Sequence, residues 1–291
     1  MKNFLWCNKR TLKVWLLCLL PLWLTPASAE EPLIFALHPY LHTTTLIERF
    51  TPLIDYLSGR LNRKIVIHIA KSYADHIQNM ALGEVDFGFM GPASYVQLWQ
   101  SGAAHQLLGR LKYGEKSSFR GAIIVRQESP LTTLAELKGH SFAFGDPNST
   151  LSSQVPRGML AKAGVELTDL SRFNHLKNHH NVALAVLMGN YDAGAIKSEV
   201  YDEYAERGLR ALSWSPFIAT HPFVASPRLP KRVADEIAEI LYDIERQPDA
   251  PTILNDIEKG VTAIIPAKAA DYQNLADYIA PYVDREKTVV P

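Results

Sequence analysis

Residues Phe144 to Pro156 read FGDPNSTLSSQVP and combine the end of a strand, a turn and the start of a helix. The apolar residues that lead into the stretch predict a β-strand, and the Gly-Asp-Pro run at 145–147 predicts a tight turn. Ser149, Thr150 and Ser152 follow where a helix is expected to begin. A strand is therefore predicted to feed a helix through a short turn that is rich in hydroxyl groups.

Such a junction is suited to bind an oxyanion. The first N–H groups of a helix have no partner inside it, the helix dipole places partial positive charge there, and small hydroxyl residues add donors. A tetrahedral anion could be held without a charged side chain. The same residues are also common helix caps, so a role that serves the backbone alone stays open. Pro156 favours a short or kinked first turn, presented as a loop tip, before a second helix that ends at Gly164.

Outward from this stretch, strands and helices alternate along the chain. Apolar runs predict strands, and apolar residues at helical spacing predict helices. The predicted strands are 33–37, 65–69, 85–89, 121–126, 142–144 and 191–196, and the predicted helices are 43–57 (closed by Gly59), 73–82, 131–137, 181–188, 230–244 and 267–279. The alternation favours parallel sheets with helices outside.

The segment Gly91 to Val96 (GPASYV) repeats the pattern of strand, glycine turn, serine and helix. In open α/β sheets, ligands bind beyond the carboxyl ends of strands, where such junctions lie. Two of these junctions suggest two jaws around one ligand. Because no long linker or change of composition interrupts the chain, two lobes joined by crossing strands fit better than two tandem domains.

The first 29 residues have the features of a secretory signal peptide: basic residues, an apolar run and a small-x-small exit. We predict cleavage after Ala29, which leaves a soluble chain of 262 residues (291 − 29). Both cysteines, Cys7 and Cys18, lie in this leader. The leader also removes four basic and no acidic residues, so 26 basic and 30 acidic residues remain, a net charge of −4. A basic nucleic-acid surface is not indicated.

The run Gly145 to Thr150, followed after five residues by Pro156, resembles the signature of the phosphate/phosphite/phosphonate-binding periplasmic proteins of ABC importers. Several further blocks of this family occur in the same order: Pro52-Leu53, Tyr73, Val85-Asp86 before Gly91-Pro92, Leu137-Lys138-Gly139, His179 ahead of Ala183 to Val186, and Asp192-Ala193. The resemblance implies a two-lobed type II periplasmic binding protein that closes on its ligand like a hinge. Each lobe would be a mixed, mostly parallel sheet flanked by helices, with the ligand between lobe 1 (30–120 and 220–291) and lobe 2 (121–219).

The resemblance also implies the ligand-binding residues. They are Ser149, Thr150, Ser152 and His179 in one lobe, Tyr73, Ser94 and Tyr95 with the backbone around Gly91 in the other, and Glu199 and His221 at the far end. Glu199 falls where aminophosphonate-binding members place a carboxylate for the ligand's ammonium group. His221 replaces the second carboxylate of that end, and Met90 stands where such members can have a tyrosine.

Two other functional classes compete with a binding protein: a zinc-binding protein and an enzyme. The histidines at 175, 179 and 180, and those at 38 and 42, have spacings that could seat zinc, but no cysteine remains after cleavage and no acidic residue completes a ligand set. Enzymatic signatures such as a Gly-x-Ser-x-Gly elbow, a His-Glu-x-x-His motif or a phosphate loop do not occur.

The sequence therefore predicts a monomeric, non-enzymatic periplasmic protein, without a cofactor, that captures a small phosphorus oxyanion. Its expected partner is an inner-membrane ABC permease. A membrane sensor kinase is the alternative partner, because either could respond to a ligand-dependent change of shape.

Overall fold

A computed structural model of the chain describes residues 30–286, with side chains up to residue 281. The predicted signal peptide lies outside the described residues. The strands are β1 (Leu33–Leu37), β2 (Ile65–Ile69), β3 (Phe87–Phe89), β4 (Gln106–Lys112), β5 (Ser118–Phe119), β6 (Gly121–Arg126), β7 (Ser141–Phe144), β8 (Arg172–His175), β9 (Ala193–Lys197), β10 (Leu209–Trp214), β11 (Ile218–Ala219), β12 (Pro222–Ala225) and β13 (Ala263–Ile265).

The α-helices pack around these strands. They are α1 (Thr43–Leu61), α2 (Tyr73–Leu82), α3 (Pro92–Gln100), α4 (Val155–Lys162), α5 (His179–Leu187), α6 (Ser198–Ala205), α7 (Lys231–Asp243), α8 (Ala250–Ile257) and α9 (Gln273–Glu286). A π-helical turn, Thr150–Gln154, leads directly into α4. Among the described residues, no helix has both the length and the apolar character that crossing a membrane requires.

The strands form two mixed sheets with helices outside them, which confirms the predicted α/β class. The larger sheet has the order β13-β4-β12-β3-β1-β2, and the smaller has the order β10-β6-β9-β7-β8. The pairings of β1 with β2 and β3, and of β7 with β8 and β9, are parallel. The remaining pairings in both sheets are antiparallel. The sheets are therefore less parallel than predicted, because returning strands such as β12 insert beside β3 in the opposite direction.

The segments that connect the two sheets pair with each other. Strands β5 and β11 form a separate antiparallel ribbon, which fits the predicted crossing strands. The larger sheet draws on residues 33–112 and 222–265, and the smaller on residues 121–214. Helix α9 packs against both α3 and α4. Because α9 contacts a helix from each predicted lobe, the lobe boundaries at residues 120 and 220 stay a prediction.

The apolar face of α1 shows how the sequence pattern builds the core. Leu46, Phe50, Leu53 and Leu57 recur at helical spacing and are fully buried against the larger sheet. The predicted stop at Gly59 is wrong, since the helix continues to Leu61. A glycine is tolerated inside a helix at a cost of about 0.5–1 kcal/mol, and the left-handed residue Asn62 (φ 48°) ends the helix instead.

The predicted helix 131–137 is also wrong, because only its last three residues, Ala135–Leu137, form a helical turn. The carboxylate of Glu136 accepts hydrogen bonds from the backbone N–H groups of Thr132 (2.6 Å) and Thr133 (3.2 Å). This local bonding holds the preceding backbone in a turn and competes with a longer helix.

Candidate functional site

Strands β1, β3, β7 and β9 point their carboxyl ends at one small cavity. Strand β1 leads to His38, β3 to Gly91, β7 to Ser149, and β9 ends at Lys197. The lining residues are His38, Tyr40, Tyr73, Gly91, Phe119, Ser149, Thr150, Leu151, His179, Lys197 and His221. A cavity at the carboxyl ends of strands is the expected arrangement for an α/β binding site.

The junction after β7 is built on close packing between Gly145 and Ser152. The N–H of Gly145 donates to the carbonyl oxygen of Ser152 at 2.9 Å. A Cβ atom added at Gly145 would lie 1.9 Å from the Ser152 hydroxyl oxygen. The Ser152 hydroxyl in turn donates to that of Ser149 at 2.8 Å. Glycine is therefore required at position 145 for the serines to take their places.

The helix after this junction begins with an unusually wide turn. The carbonyl oxygen of Ser149 accepts from the N–H groups of Ser153 (3.2 Å) and Gln154 (2.9 Å), which is a π-helical pattern. The N–H groups of Thr150 to Ser152 precede the first bonded amide of the turn, as at any helix start. In place of the short or kinked first turn predicted from Pro156, the π-helical turn Thr150–Gln154 leads directly into α4. It is not a loop tip, because residues 150–154 are buried against the rest of the molecule.

The two junctions predicted to face each other as jaws are in direct contact. The backbone N–H of Ala93, in the first turn of α3, donates to the Thr150 hydroxyl at 2.9 Å. A Cβ atom added at Gly91 would lie 3.6 Å from the hydroxyl oxygens of both Ser94 and Thr150 and 3.8 Å from Nε2 of His38. The Ser94 hydroxyl is fully buried and has no hydrogen-bond partner among the described residues. Polar groups from both sheets thus converge around Gly91.

Tyr73 joins the same cluster from the start of α2. Its hydroxyl is hydrogen-bonded to Ser149. Its backbone N–H has no partner inside the helix, as at any helix start. The carboxylate of Asp146 accepts from this N–H and from that of Asn148. Burial raises the pKa of Tyr73 well above its ordinary value, so its hydroxyl stays protonated and able to donate.

The histidines of the cavity are neutral. Burial is the main cause that lowers the pKa of His38 and of His221 to about 3 and that of His179 well below its ordinary value, and the nearby Lys197 lowers all three further. Nδ1 of His179 accepts from the backbone N–H of Lys197 at 3.1 Å, so its proton is on Nε2, which can donate to a ligand. Nδ1 of His38 donates to the carbonyl oxygen of Phe89 at 3.1 Å, so its Nε2 is an acceptor.

These buried histidines predict a fall in stability in acid. With a pKa of about 3 when folded and about 6.5 when unfolded, His221 binds a proton in the unfolded protein first as the pH falls. Protonation therefore favours the unfolded state, so the stability present above pH 6.5 is lost as the pH falls toward 3. For His221 the expected loss between pH 7 and pH 5 is about 2 kcal/mol. Urea unfolding at both pH values should show that the free energy of unfolding falls less in His221→Gln than in the wild-type protein. The exposed His42→Gln is the control, and an equal pH dependence of both variants would contradict the prediction.

The structure brings some of the predicted site residues to the cavity and leaves others outside its lining. Tyr73, Ser149, Thr150, His179 and His221 line it. Ser94 and Ser152 lie behind the lining, where they contact Gly91, Gly145 and Ser149.

Tyr95 and Glu199 have other neighbours. The Tyr95 ring packs 4.8 Å from that of Tyr272 and 5.5 Å from that of His105. Successive helix residues differ in direction by about 100°, so Ser94 and Tyr95 cannot both face the cleft. The Glu199 carboxylate forms ion pairs with Lys197 and Arg49.

Sequence reasoning missed several lining residues, namely His38, Tyr40, Phe119, Leu151 and Lys197. Lys197 carried a detectable signal, because it is a charged residue directly after the apolar run of β9 and directly before a helix. That position has the same strand-to-helix geometry as Ser149.

The histidines considered for zinc have separate partners. Nδ1 of His175 donates to the carbonyl oxygen of Gly145 at 2.7 Å, and Nε2 of His180 pairs with Glu203 at 3.1 Å, while His179 faces the cavity. Among the described residues, no three His, Cys, Asp or Glu side chains are grouped as a metal site requires.

Comparison with known proteins identifies the family. The family described as "ABC transporter, phosphonate, periplasmic substrate-binding protein" matches residues 35–272. The phosphonates-binding periplasmic protein of Escherichia coli K12 is 25% identical over 245 residues, which cover 79% of this chain and 72% of that protein. The phosphate-import protein PhnD of Mycolicibacterium smegmatis is 27% identical over 230 residues, which cover 73% and 72% of the two chains.

A solved structure supports the fold. A Prochlorococcus marinus protein in complex with methylphosphonate superposes with a TM-score of 0.77 at 20% identity, covering 89% of this chain and 98% of that one. The predicted type II periplasmic binding fold is confirmed, and the relatives are transport proteins and not enzymes, as predicted. The chain belongs to the family of periplasmic substrate-binding proteins of ABC phosphonate transporters.

Proposed function

We propose that this protein captures a small phosphorus oxyanion, namely a phosphonate, phosphite or phosphate, by closure of its two lobes about the cavity. The observation that carries the proposal is the convergence of two hydroxyl-bearing strand-to-helix junctions, joined by the bond from Ala93 to Thr150. The lobes are those predicted from the sequence, 30–120 with 220–291 and 121–219. Opening of the lobes would separate these junctions to admit the ligand, and closure would return both onto it.

The chemistry of the lining supports this ligand class. Ser149, Thr150, Tyr73 and Nε2 of His179 are uncharged donors, and the helix start adds backbone N–H groups. Such donors suit the oxygens of a tetrahedral anion. Tyr40 and Phe119 add aromatic surface to the same cavity, which suits a hydrogen or alkyl substituent on phosphorus. The cavity is small, which favours a ligand of few atoms.

The proposed setting follows from the family. We propose export through cleavage after Ala29, action as a monomer in the periplasm, and delivery of the ligand to an inner-membrane ABC permease. The relatives at 25% and 27% identity are named for phosphonates and for phosphate, respectively, so either ligand is compatible with the family.

A thermal-unfolding panel on the mature protein tests the proposal. The ligands are phosphate, phosphite, methylphosphonate, aminoethylphosphonate, sulfate and zinc. A ligand at about 1,000 times its dissociation constant adds roughly 4 kcal/mol, which should raise the midpoint on the order of 10 °C. We expect such a shift with at least one phosphorus anion. A shift with zinc or sulfate alone, or with none of these ligands, would contradict the proposal.

A further inference from the structure

A buried ion cluster is located at the end of β9, at the wall of the cavity. The Lys197 side chain is 3% exposed, and its Nζ contacts Oε2 of Glu199 and lies 3.2 Å from Oε1 of Glu258. Glu258 is 5% exposed. Oε1 of Glu199 also pairs with Nη1 of Arg49 at 3.3 Å. One lysine therefore holds two carboxylates that approach it from α6 and from the end of α8.

The lysine and the more buried carboxylate of this cluster are both charged. Burial disfavours the Lys197 ammonium, but Glu258 and Glu199 more than offset this effect, so the pKa of Lys197 is raised. Burial raises and Lys197 lowers the pKa of Glu258, with a net lowering. Because the lining histidines are neutral, Lys197 is the charged side chain among the described residues that line the cavity. It supplies the positive charge that an anion would meet there.

The two carboxylates border an open cleft next to the cavity. Glu199 and Glu258 line a wider, open cleft that shares Phe119 with the cavity. A ligand with its anionic group in the cavity and a cationic tail would direct that tail toward these carboxylates. A carboxylate is a strong hydrogen-bond partner of an ammonium group, and the Nζ of Lys197 already contacts both of these carboxylates.

We propose that Lys197 is a built-in ammonium group that determines ligand specificity. Its Nζ occupies the carboxylates that would otherwise bind a cationic tail. The site therefore accepts phosphorus oxyanions without an amine and rejects aminoalkylphosphonates. The inference rests on the proposed function and narrows its ligand class. A second ammonium at this position would meet carboxylates that are already paired and would lie next to a like charge, which is unfavourable at a buried site.

The test compares the wild-type protein with Lys197→Ala in thermal unfolding and calorimetry. The probes are methylphosphonate, 2-aminoethylphosphonate and ethylamine, an alkylammonium without phosphorus. We expect the wild type to bind aminoethylphosphonate at least about tenfold more weakly than methylphosphonate. Lys197→Ala should reverse this order, because the ligand's ammonium then replaces the missing one. Ethylamine should raise the unfolding midpoint of the variant and leave that of the wild type unchanged.

The control variant is Lys259→Ala, which removes an exposed lysine that lines the same open cleft. It should keep the wild-type order of affinities for the two phosphonates, and ethylamine should leave its unfolding midpoint unchanged. If Lys197→Ala does not fold, Lys197→Ala with Glu258→Gln removes one unpaired carboxylate and should fold, because Glu199 keeps Arg49 as a partner. This double variant should bind aminoethylphosphonate at least as tightly as methylphosphonate, and a double variant that keeps the wild-type order of affinities would overturn the proposal.

The outcomes separate this inference from the proposed function. Equal binding of the two phosphonates by the wild type, or no effect of ethylamine on Lys197→Ala, would overturn the role of Lys197. If the wild type binds no phosphorus anion, the proposed function fails, whereas stabilisation of Lys197→Ala by ethylamine still supports the built-in ammonium.

Discussion

Replacing Ser149 and Thr150 together by alanine is expected to weaken binding of the phosphorus anion about 100- to 10,000-fold while the protein stays folded. A hydrogen bond to a charged group contributes about 1.5–3 kcal/mol, and two such bonds correspond to that range of affinity. The Thr150 hydroxyl also accepts from the N–H of Ala93, so its removal weakens the contact between the two junctions as well. Titration calorimetry with the anion identified by the thermal panel measures the loss.

The fold should tolerate this double change. Alanine suits a helix start sterically, and the neighbouring backbone bond from Gly145 to Ser152 remains. A matched control removes two hydroxyls far from the cavity, in Thr51→Ala with Ser101→Ala. Each of these hydroxyls donates to a nearby backbone carbonyl of its own helix. If the double variant at 149 and 150 binds the anion as tightly as this control does, the assignment of Ser149 and Thr150 to the anion site is excluded.

The strand-to-helix junctions could be predicted from the sequence because their determinants are local. Turn residues at 145–147, the hydroxyls that follow and Pro156 are all within one short stretch, and each acts on its own neighbours. The family resemblance then added Tyr73 and His179, which line the cavity. Local chemistry and order along the chain were sufficient for this part of the site.

The rest of the site depends on the order of strands within the sheets, which local patterns do not determine. Lys197 reaches the cavity because β9 lies between β6 and β7, and His38 reaches it because β1 lies beside β3. The antiparallel insertion of β12 places His221 at the same edge. None of these three arrangements is visible in a window of ten or twenty residues.

Tyr95 and Glu199 show a second limit of the sequence. Both are near a junction in the chain, yet Tyr95 packs against Tyr272, a residue almost 180 positions away in sequence number, and Glu199 is paired with Lys197 and Arg49. A motif indicates which turn of a helix approaches a ligand. The partners that arrive from distant elements decide which side chain of that turn is free to bind it.

The change of Gly145 to alanine is expected to have the other large effect, on stability and on binding together. The new Cβ would lie 1.9 Å from Oγ and 2.8 Å from Cβ of Ser152. Since the second clash cannot be relieved by rotating the hydroxyl, the helical turn that carries Ser149 must move. Overpacking of this kind costs about 1–3 kcal/mol, and displacement of Ser149 should reduce anion binding to the level of the double alanine variant.

Gly59→Ala is the matched control, because Gly59 lies inside α1 and an added Cβ would meet nothing within 4 Å. Alanine is the better helix former by about 0.5–1 kcal/mol, so this variant should be more stable than the wild type, with unchanged anion affinity. For a chain of this size the two variants should differ in unfolding midpoint by several degrees, in opposite directions from the wild type. If Gly145→Ala keeps both its midpoint and its affinity, the packing of Gly145 on Ser152 does not position the anion-binding turn.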